Sequence, residues 1–456
     1  MVNNCSLKTV RFVDTKQWNV KHFFATSIIS KYSTESIGKH TIHITEKTKL
    51  FNEPEKEHKI LGISNEKGMF DAYAELGKNI NQAYIYVENG CLAYNPYRIN
   101  VGSIGLKTDL QKNEYISPAY VVFKCKETIL PEFLYLVLKS TVFNSIIREN
   151  TTGSVRQTLS YDNLATIKIP VPPIETQRNL LDEYHSTLKE AQNIQEEAEK
   201  LNDSINDEIC DLLGITLPQL SGEVKKGLQL IKYSECEKWS VDYLLNKDSC
   251  EFIGTTKYPV VRARQFIKEC QYGLSDKATK EKCGIPVLRM NNLQKSNIDT
   301  SDLKYLPDST KGIERYLLNQ GDLLFNRTNS KELVGKTAVF SLTDKYVFAS
   351  YLIRVVINSD IADVNYINYL FASKIIRSQI DLFSRQILGQ ANINVDELKS
   401  LKFPLPPLPE QKKIVTLLKG IEQKSKQYLK KSIELEGFAK LKFEEAVFGE
   451  TQKVTN

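Results

Sequence analysis

At 456 residues, with 41% hydrophobic and 25% charged side chains, the chain has the balance of a soluble globular protein of roughly three domain-sized units, which excludes a disordered or fibrous polypeptide. Its net charge of +6 permits a nucleic-acid partner without demanding one. No apolar run approaches the roughly 18 residues of a membrane span, and eight scattered cysteines with no Cys-x-x-Cys pair exclude a disulfide framework and the usual zinc sites.

The first fourteen residues, MVNNCSLKTVRFVD, lack the apolar core of a signal peptide, so the chain is expected in the cytoplasm. Residues 1–169 mix short β-branched and aromatic runs, such as NQAYIYVEN and AYVVFK, with Gly, Asn and Pro turns and one helical pattern, PEFLYLVLKSTVFNSIIREN. That mixture predicts an α+β region. A helical spacer follows over 170–214, opened by the prolines of IKIPVPPIETQ, which suit the first turn of a helix and not its interior. Leu181, Tyr184, Leu188, Ala191, Ile194, Ala198, Leu201, Ile205, Ile209 and Leu212 recur along it at a spacing of about 3.4, the period of a coiled-coil seam. Residues 215–232 read as a linker, with the turn-rich GITLPQLSGEVKKG at its start. The α+β pattern then returns over 233–403, and a second helical spacer over 404–449 keeps a stripe of Ile414, Leu418, Ile421, Tyr428, Leu435 and Ala439. Ser425 and Ser432 fall on that stripe, so close packing against a partner helix is expected and strong self-assembly is not.

The recurrence is explicit. IKIPVPPIETQ at 167–177 returns as LKFPLPPLPEQ at 401–411, an offset of 234 between Pro170 and Pro404. NGCLAYN at 89–95 is echoed by QGDLLFN at 320–326, and YISPAYVVFK at 115–124 by YVFASYLIRV at 346–355, both offset by 231. Two copies of one fold follow. If the second region begins and ends at neighbouring points, as domains usually do, the two helices must pair antiparallel. At about 1.5 Å per residue each would run roughly 55 Å, with the two regions at opposite ends and related by an approximate two-fold axis.

Basic residues gather in the second region at Arg262, Arg264, Lys277, Lys280, Lys282 and Arg289, and more thinly in the first at Lys107, Lys112, Arg148 and Arg156. Catalytic chemistry is sparse. All five histidines lie within the first 185 residues, so the second copy contains no imidazole, and His40-x-x-His43 is too thin for a metal site. If both copies do one job, that job does not use His catalysis, and no catalytic or metal-ligating residue is assigned. SKELVGKT at 330–337 ends like a phosphate-binding loop but has Ser330 where the first glycine is needed, so Gly335-Lys336-Thr337 reads as a turn into the strand AVF. YNPY at 94–97 resembles the N-P-P-Y motif of amino-methyltransferases but lacks one proline and any glycine-rich cofactor turn before it, and also reads as a turn.

The order of these segments resembles the specificity subunit of type I restriction-modification systems, in which two target-recognition domains alternate with two helical spacers. The resemblance rests on YGLSDKATKEKCGIPVLRMNNLQKSNID at 272–299 with GDLLFNRTNSKELVGKTAVF at 321–340, and on YNPYRINVGSIG at 94–105 with ISPAYVVFK in the first half. The segment GISNEKGMF at 62–70 is similar to a different subgroup of recognition domains, which implies that the two halves read unrelated sequences. The family implies an α+β fold with two duplicated recognition domains and two long helices in an antiparallel coiled coil. It also implies a non-catalytic chain that binds double-stranded DNA as a bipartite target. Two modification subunits would grip the helices along Leu181, Leu188, Leu201, Ile205, Ile414, Leu418, Ile421 and Leu435, and restriction and translocase subunits would complete the complex. S-adenosylmethionine, ATP and Mg²⁺ would then belong to those partners and none to this chain. A recognition domain needs Arg for guanine and Asn or Gln for adenine, with further polar groups on phosphate. In the first half Asn65, Lys67, Tyr97, Arg98, Asn100, Arg156 and Gln157 offer this chemistry. In the second, Arg289, Asn291, Asn292 and Gln294 do so in one segment, Asn326, Arg327 and Asn329 in another, and Gln386 and Gln390 in a third. A stand-alone DNA methyltransferase and a coiled-coil protein adaptor remain the alternatives.

Overall fold

A computed structural model describes residues 30–150, 158–215, 230, 256–294, 297–307, 309–387 and 390–449. They form two compact units that divide between 195 and 196 and between 428 and 429, so the division passes through both long helices. The 215–232 linker lies outside the described residues apart from 215 and 230. Among the described residues no helix is long and apolar enough to cross a membrane.

In the first unit the strands are β1 (Thr34–Ser36), β2 (Thr41–Ile44), β3 (Glu57–Ser64), β4 (Gly68–Leu76), β5 (Ile85–Tyr86), β6 (Cys91–Tyr94), β7 (Ile104–Leu106), β8 (Tyr115–Ile116), β9 (Val121–Cys125) and β10 (Lys168–Pro170). Besides the single turn Ile37–His40, the helices are α1 (Pro131–Lys139), α2 (Thr141–Asn150), α3 (Tyr161–Thr166) and the first part of the long α4 (Ile174–Leu213). One sheet has the order β2-β9-β6-β7, all antiparallel, and the other β4-β3-β8-β5 with β3 and β8 parallel. All four residues of β6, Cys-Leu-Ala-Tyr, are buried because both faces of its sheet are covered. Successive side chains point to opposite faces. Leu92 and Tyr94 therefore join Phe123, Phe133 and Leu134 under the helices, whereas Cys91 and Ala93 join Leu61, Ile63 and Met69 between the sheets.

The second unit repeats the two main sheets, without a counterpart of β5 and with two small sheets added. It contains β11 (Val260–Arg262), β12 (Ile267–Tyr272), β13 (Ile285–Leu288), β14 (Leu293–Gln294), β15 (Asn297–Ile298), β16 (Lys304–Leu306), β17 (Leu323–Asn326), β18 (Thr328–Asn329), β19 (Thr337–Val339), β20 (Val347–Phe348), β21 (Leu352–Ile357), β22 (Arg385–Ile387), β23 (Gln390–Asn392) and β24 (Lys402–Pro404). Its helices are α5 (Val364–Ala372), α6 (Lys374–Phe383), α7 (Val395–Ser400) and the long α8 (Leu408–Phe448). The sheet β12-β21-β17-β19 matches the first, and β16-β13-β20 matches the second, again with one parallel pair; the added small sheets are β14-β15 and β18-β23-β22. The alternation on β17 is the same: Leu323 and Phe325 pack with the helices, Leu324 with the other sheet. Strand β24 pairs with β11 as β10 pairs with β1, which returns the chain to the start of each unit before the long helix departs.

That departure is held by a duplicated glutamine. Gln177 is fully buried; its side-chain carbonyl accepts from the Leu130 N–H at 2.8 Å and its amide donates to the carbonyls of Thr128 and Pro172. Gln411 makes the same three bonds, to the Asp363 N–H and the carbonyls of Ile361 and Pro406. Each glutamine thus ties the proline-rich entry of a long helix to the loop before α1 or α5, satisfying buried backbone groups that water cannot reach.

Within each unit the two long helices pack antiparallel. In the second, Ala198 accepts from the Ser425 hydroxyl at 2.8 Å while Ile209 and Leu213 share a core with Ile414 and Leu418. In the first, Tyr184 lies edge-on to Phe443 and Glu183 pairs with Lys442. Ser425 and Ser432 are both buried, as the close packing expected of small residues requires.

Candidate nucleic-acid interface

Two loops carry the polar residues of the first unit, and one lysine ties them together. Lys139, the last residue of α1, donates to the Asn65 carbonyl at 2.9 Å and to the Gly102 carbonyl at 3.1 Å. This brings the β3–β4 turn, with Asn65 and Lys67, beside the 95–103 loop, with Tyr97, Arg98 and Asn100. Burial lowers the Lys139 pKa, with a further push from the neighbouring Lys440. The 95–103 loop starts as a turn in which Asn95 accepts from the Tyr97 N–H through its side chain and from the Arg98 N–H through its carbonyl. It closes at Gly102, whose φ of +83° suits glycine and whose missing Cβ would sit 2.7 Å from the Asn65 side-chain oxygen. Tyr97 and Arg98 are exposed. Arg156 and Gln157 lie outside the described residues.

The corresponding loop of the second unit, 327–336, is clipped by a different cation. Arg377 on α6 donates to the carbonyls of Lys331 and Val334 and pairs with Asp381. Gly335 has the same φ of +83° as Gly102 and packs against Ile380. SKELVGKT therefore forms a turn that delivers Thr337 into β19. Arg327 sits where β17 crosses into the small sheet β18-β23-β22. Its N–H donates to the Tyr351 carbonyl and its own carbonyl accepts from Ile393. Its guanidinium lies 4.7 Å from the centre of the Tyr272 ring, with Nη2 donating to the Asn392 side chain at 3.3 Å. Asn329 and Gln390 occupy the same small sheet, whose β18–β23 ladder pairs Asn329 with Ala391. Gln386 is on the neighbouring strand β22, its side chain outside the described set.

Three of the expected base readers are bonded within the protein. Asn292 is only 2% exposed and spends its side chain internally, accepting from the Arg289 N–H and donating to the carbonyls of Asp299 and Asp302. Asn326 is fully buried with its amide on the Leu333 carbonyl. Arg289 is pinned through Nη2 to both the carbonyl and the carboxylate of Asp302, each at 2.9 Å. The Arg289 guanidinium in turn holds the Asp302 carboxyl below its usual range. Arg289 and Asn292 shape the 289–302 loop and Asn326 the 326–335 loop; Asn291 and Gln294 are the exposed members of the 289–294 segment.

The helix positions named for partner subunits fall on the seam that their spacing predicts. Leu181, Ile414 and Leu418 are buried in the cores of their own units, and Leu188, Leu201, Ile205, Ile421 and Leu435 are half-buried, Ile205 and Ile421 against the second unit's core. They lie on the seam rather than on an outward face. The outward apolar residues of α8 in the first unit are Leu429, Ile433, Phe438 and Leu441. Of these, 429, 433 and 441 follow one i, i+4 ridge with Gly437 between them, which a search for the seam period passes over.

Comparison with known proteins identifies the fold. The family model described as type I restriction modification DNA specificity domain matches residues 41–202 and 246–436, and the chain belongs to that family. The EcoKI specificity subunit of Escherichia coli K12 is 25% identical over 298 residues, 64% of this chain and 59% of that protein. A protein of Methanocaldococcus jannaschii provisionally named the type I restriction enzyme MjaX specificity subunit is 30% identical over 167 residues, 36% of this chain and 39% of its own length. The match thus spans less than two thirds of either relative. A chain from the solved structure described as "Structural basis underlying complex assembly and conformational transition of the type I R-M system" superposes with a TM-score of 0.58 at 15% identity, over 93% of this chain and all of that one, a likeness of fold.

Proposed function

We propose that this member of the DNA specificity domain family is the sequence-recognition subunit of a type I restriction-modification complex, each unit reading one half of a bipartite duplex site. The observation that carries the reading is the duplication of a polar loop cluster on matching scaffolds: 65–67 with 97–100 in one unit, and 289–294 with 327–329 in the other. The scaffolds agree while the side chains differ, Pro96-Tyr97-Arg98 standing where Arg327-Thr328-Asn329 stands in the second copy. Two readers with different side chains select two different half-sites. In this reading the chain is not itself an enzyme. Methyltransferase subunits bring S-adenosylmethionine chemistry, restriction and translocase subunits bring ATP and Mg²⁺, and the complex works in the cytoplasm.

The test is selection from a random duplex library by the chain assembled with its modification subunits. Two specified segments separated by an unspecified gap are expected. In parallel, the isolated chain incubated with labelled S-adenosylmethionine and DNA should transfer no methyl group, and transfer would favour a stand-alone methyltransferase.

A further inference from the structure

We infer that Arg327 reads a guanine in the half-site of the second unit and that Tyr272 and Asn392 are the positioning residues that aim it. The inference rests on the recognition reading above and adds which side chains hold the reader in place. Strands β12 and β17 both pair antiparallel with β21, Tyr272 opposite Ile353 and Asn326 opposite Leu352, so Tyr272 and Arg327 emerge at the same end of the sheet, on either side of β21. Tyr272 is 41% exposed, and its hydroxyl accepts from the Val395 N–H at the start of α7, which anchors the far end of the ring. The Arg327 guanidinium stacks over that ring, a contact that restrains a long side chain without using up its donors. On another side, the Asn392 amide donates to the Thr328 hydroxyl at 3.1 Å, and this turns its oxygen towards Arg327 Nη2.

The contrast with the other arginines is chemical. Arg289 and Arg377 each spend donors on a carboxylate and on backbone carbonyls, and Arg354 on Glu269 and the Leu317 carbonyl. Arg327 faces an aromatic ring and one neutral amide. A guanidinium that has been oriented but not neutralised is what bidentate pairing with guanine O6 and N7 needs.

The test is the same library selection with the full complex, run on Arg327→Ala, Tyr272→Ala, Tyr272→Phe and Asn392→Ala. Arg327→Ala should lower discrimination for guanine at one position of one half-site roughly 5- to 150-fold, the range of a bidentate Arg–guanine pair. Tyr272→Ala and Asn392→Ala should relax the same position several-fold, Tyr272→Phe, which keeps the ring and loses only the anchor to Val395, should relax it less than Tyr272→Ala, and adding Tyr272→Ala to Arg327→Ala should relax nothing more. The other half-site, read by the other unit, serves as the folding control and should stay selected in every variant. If Tyr272→Ala is indistinguishable from the parent, or if Arg327→Ala weakens binding to all sequences alike with a shallower salt dependence, the assignment is overturned and Arg327 holds phosphate or nothing. A parent complex that selects no sequence would refute the recognition reading itself, and this assignment with it.

Discussion

Arg289 and Arg327 are both arginines at strand ends in polar loops, and only their surroundings separate them. Arg289→Ala should loosen the 289–302 loop and lower the melting temperature without relaxing any single base position. The sign of its pH dependence follows from Asp302, whose carboxyl is held below its usual range. A depressed carboxylate contributes stability above its unfolded pKa of about 3.9 and loses it as pH falls through the folded value. The melting difference between parent and Arg289→Ala should therefore be constant from neutrality down to about pH 5 and shrink towards pH 3; a difference that grows on acidification contradicts the pairing. Gln411 offers a larger effect. Gln411→Leu leaves the Asp363 N–H and two carbonyls without their partner, at a cost of at least about 2 kcal/mol. Urea denaturation with a midpoint unchanged by the substitution would show that the buried glutamine is not what seats the helix. Sequence reading reached the repeated segment that contains Gln177 and Gln411, but not their role, because Leu130 and Asp363 are 47 and 48 residues away. The internal bonds of Arg289 and Asn292 were illegible for a related reason: their partners, Asp299 and Asp302, meet them only when the loop closes.

At the scale of elements, the long helices were the most legible feature. Their apolar period and proline entries mark α4 and α8 to within a few residues, since both signals are local. The small residues on the seam were legible as positions but not as contacts. Ser425 donates to the Ala198 carbonyl, so Ser425→Ala should cost about 1 kcal/mol, whereas Ser425→Leu overfills a fully packed seam and should cost about 1–3 kcal/mol. Equal stability of the two variants, measured by denaturation, would mean that the helices do not approach closely there. If α4 and α8 set the separation of the half-sites, lengthening both by one heptad, after Glu197 and after Lys424, keeps the seam period and adds about 10 Å of helix. The preferred gap should then change by about three base pairs with both half-site sequences intact. An unchanged gap in the same library selection would show that the helices do not measure distance.

At the scale of the whole molecule, the account rests on duplication. The repeat could be read from sequence because Gly90 and Gly321, Gly102 and Gly335, and the two proline runs occupy positions that backbone geometry restricts, so they persist where side chains drift. The recognition surfaces drift by design of the reading itself: Lys139 clips one loop and Arg377 the other, from different positions, and neither carries a signal in a single sequence. Tyr272 and Asn392 escaped notice for the same cause, lying on strands far along the chain from Arg327. The central claim is that two differently equipped copies of one fold read two different pieces of DNA. Library selection by the complete complex, comparing the parent with Arg327→Ala, tests it most directly. The account predicts two specified segments across an unspecified gap of fixed length, with Arg327→Ala altering one segment and leaving the other untouched; a single uninterrupted motif, or a variant that degrades both segments together, would contradict it.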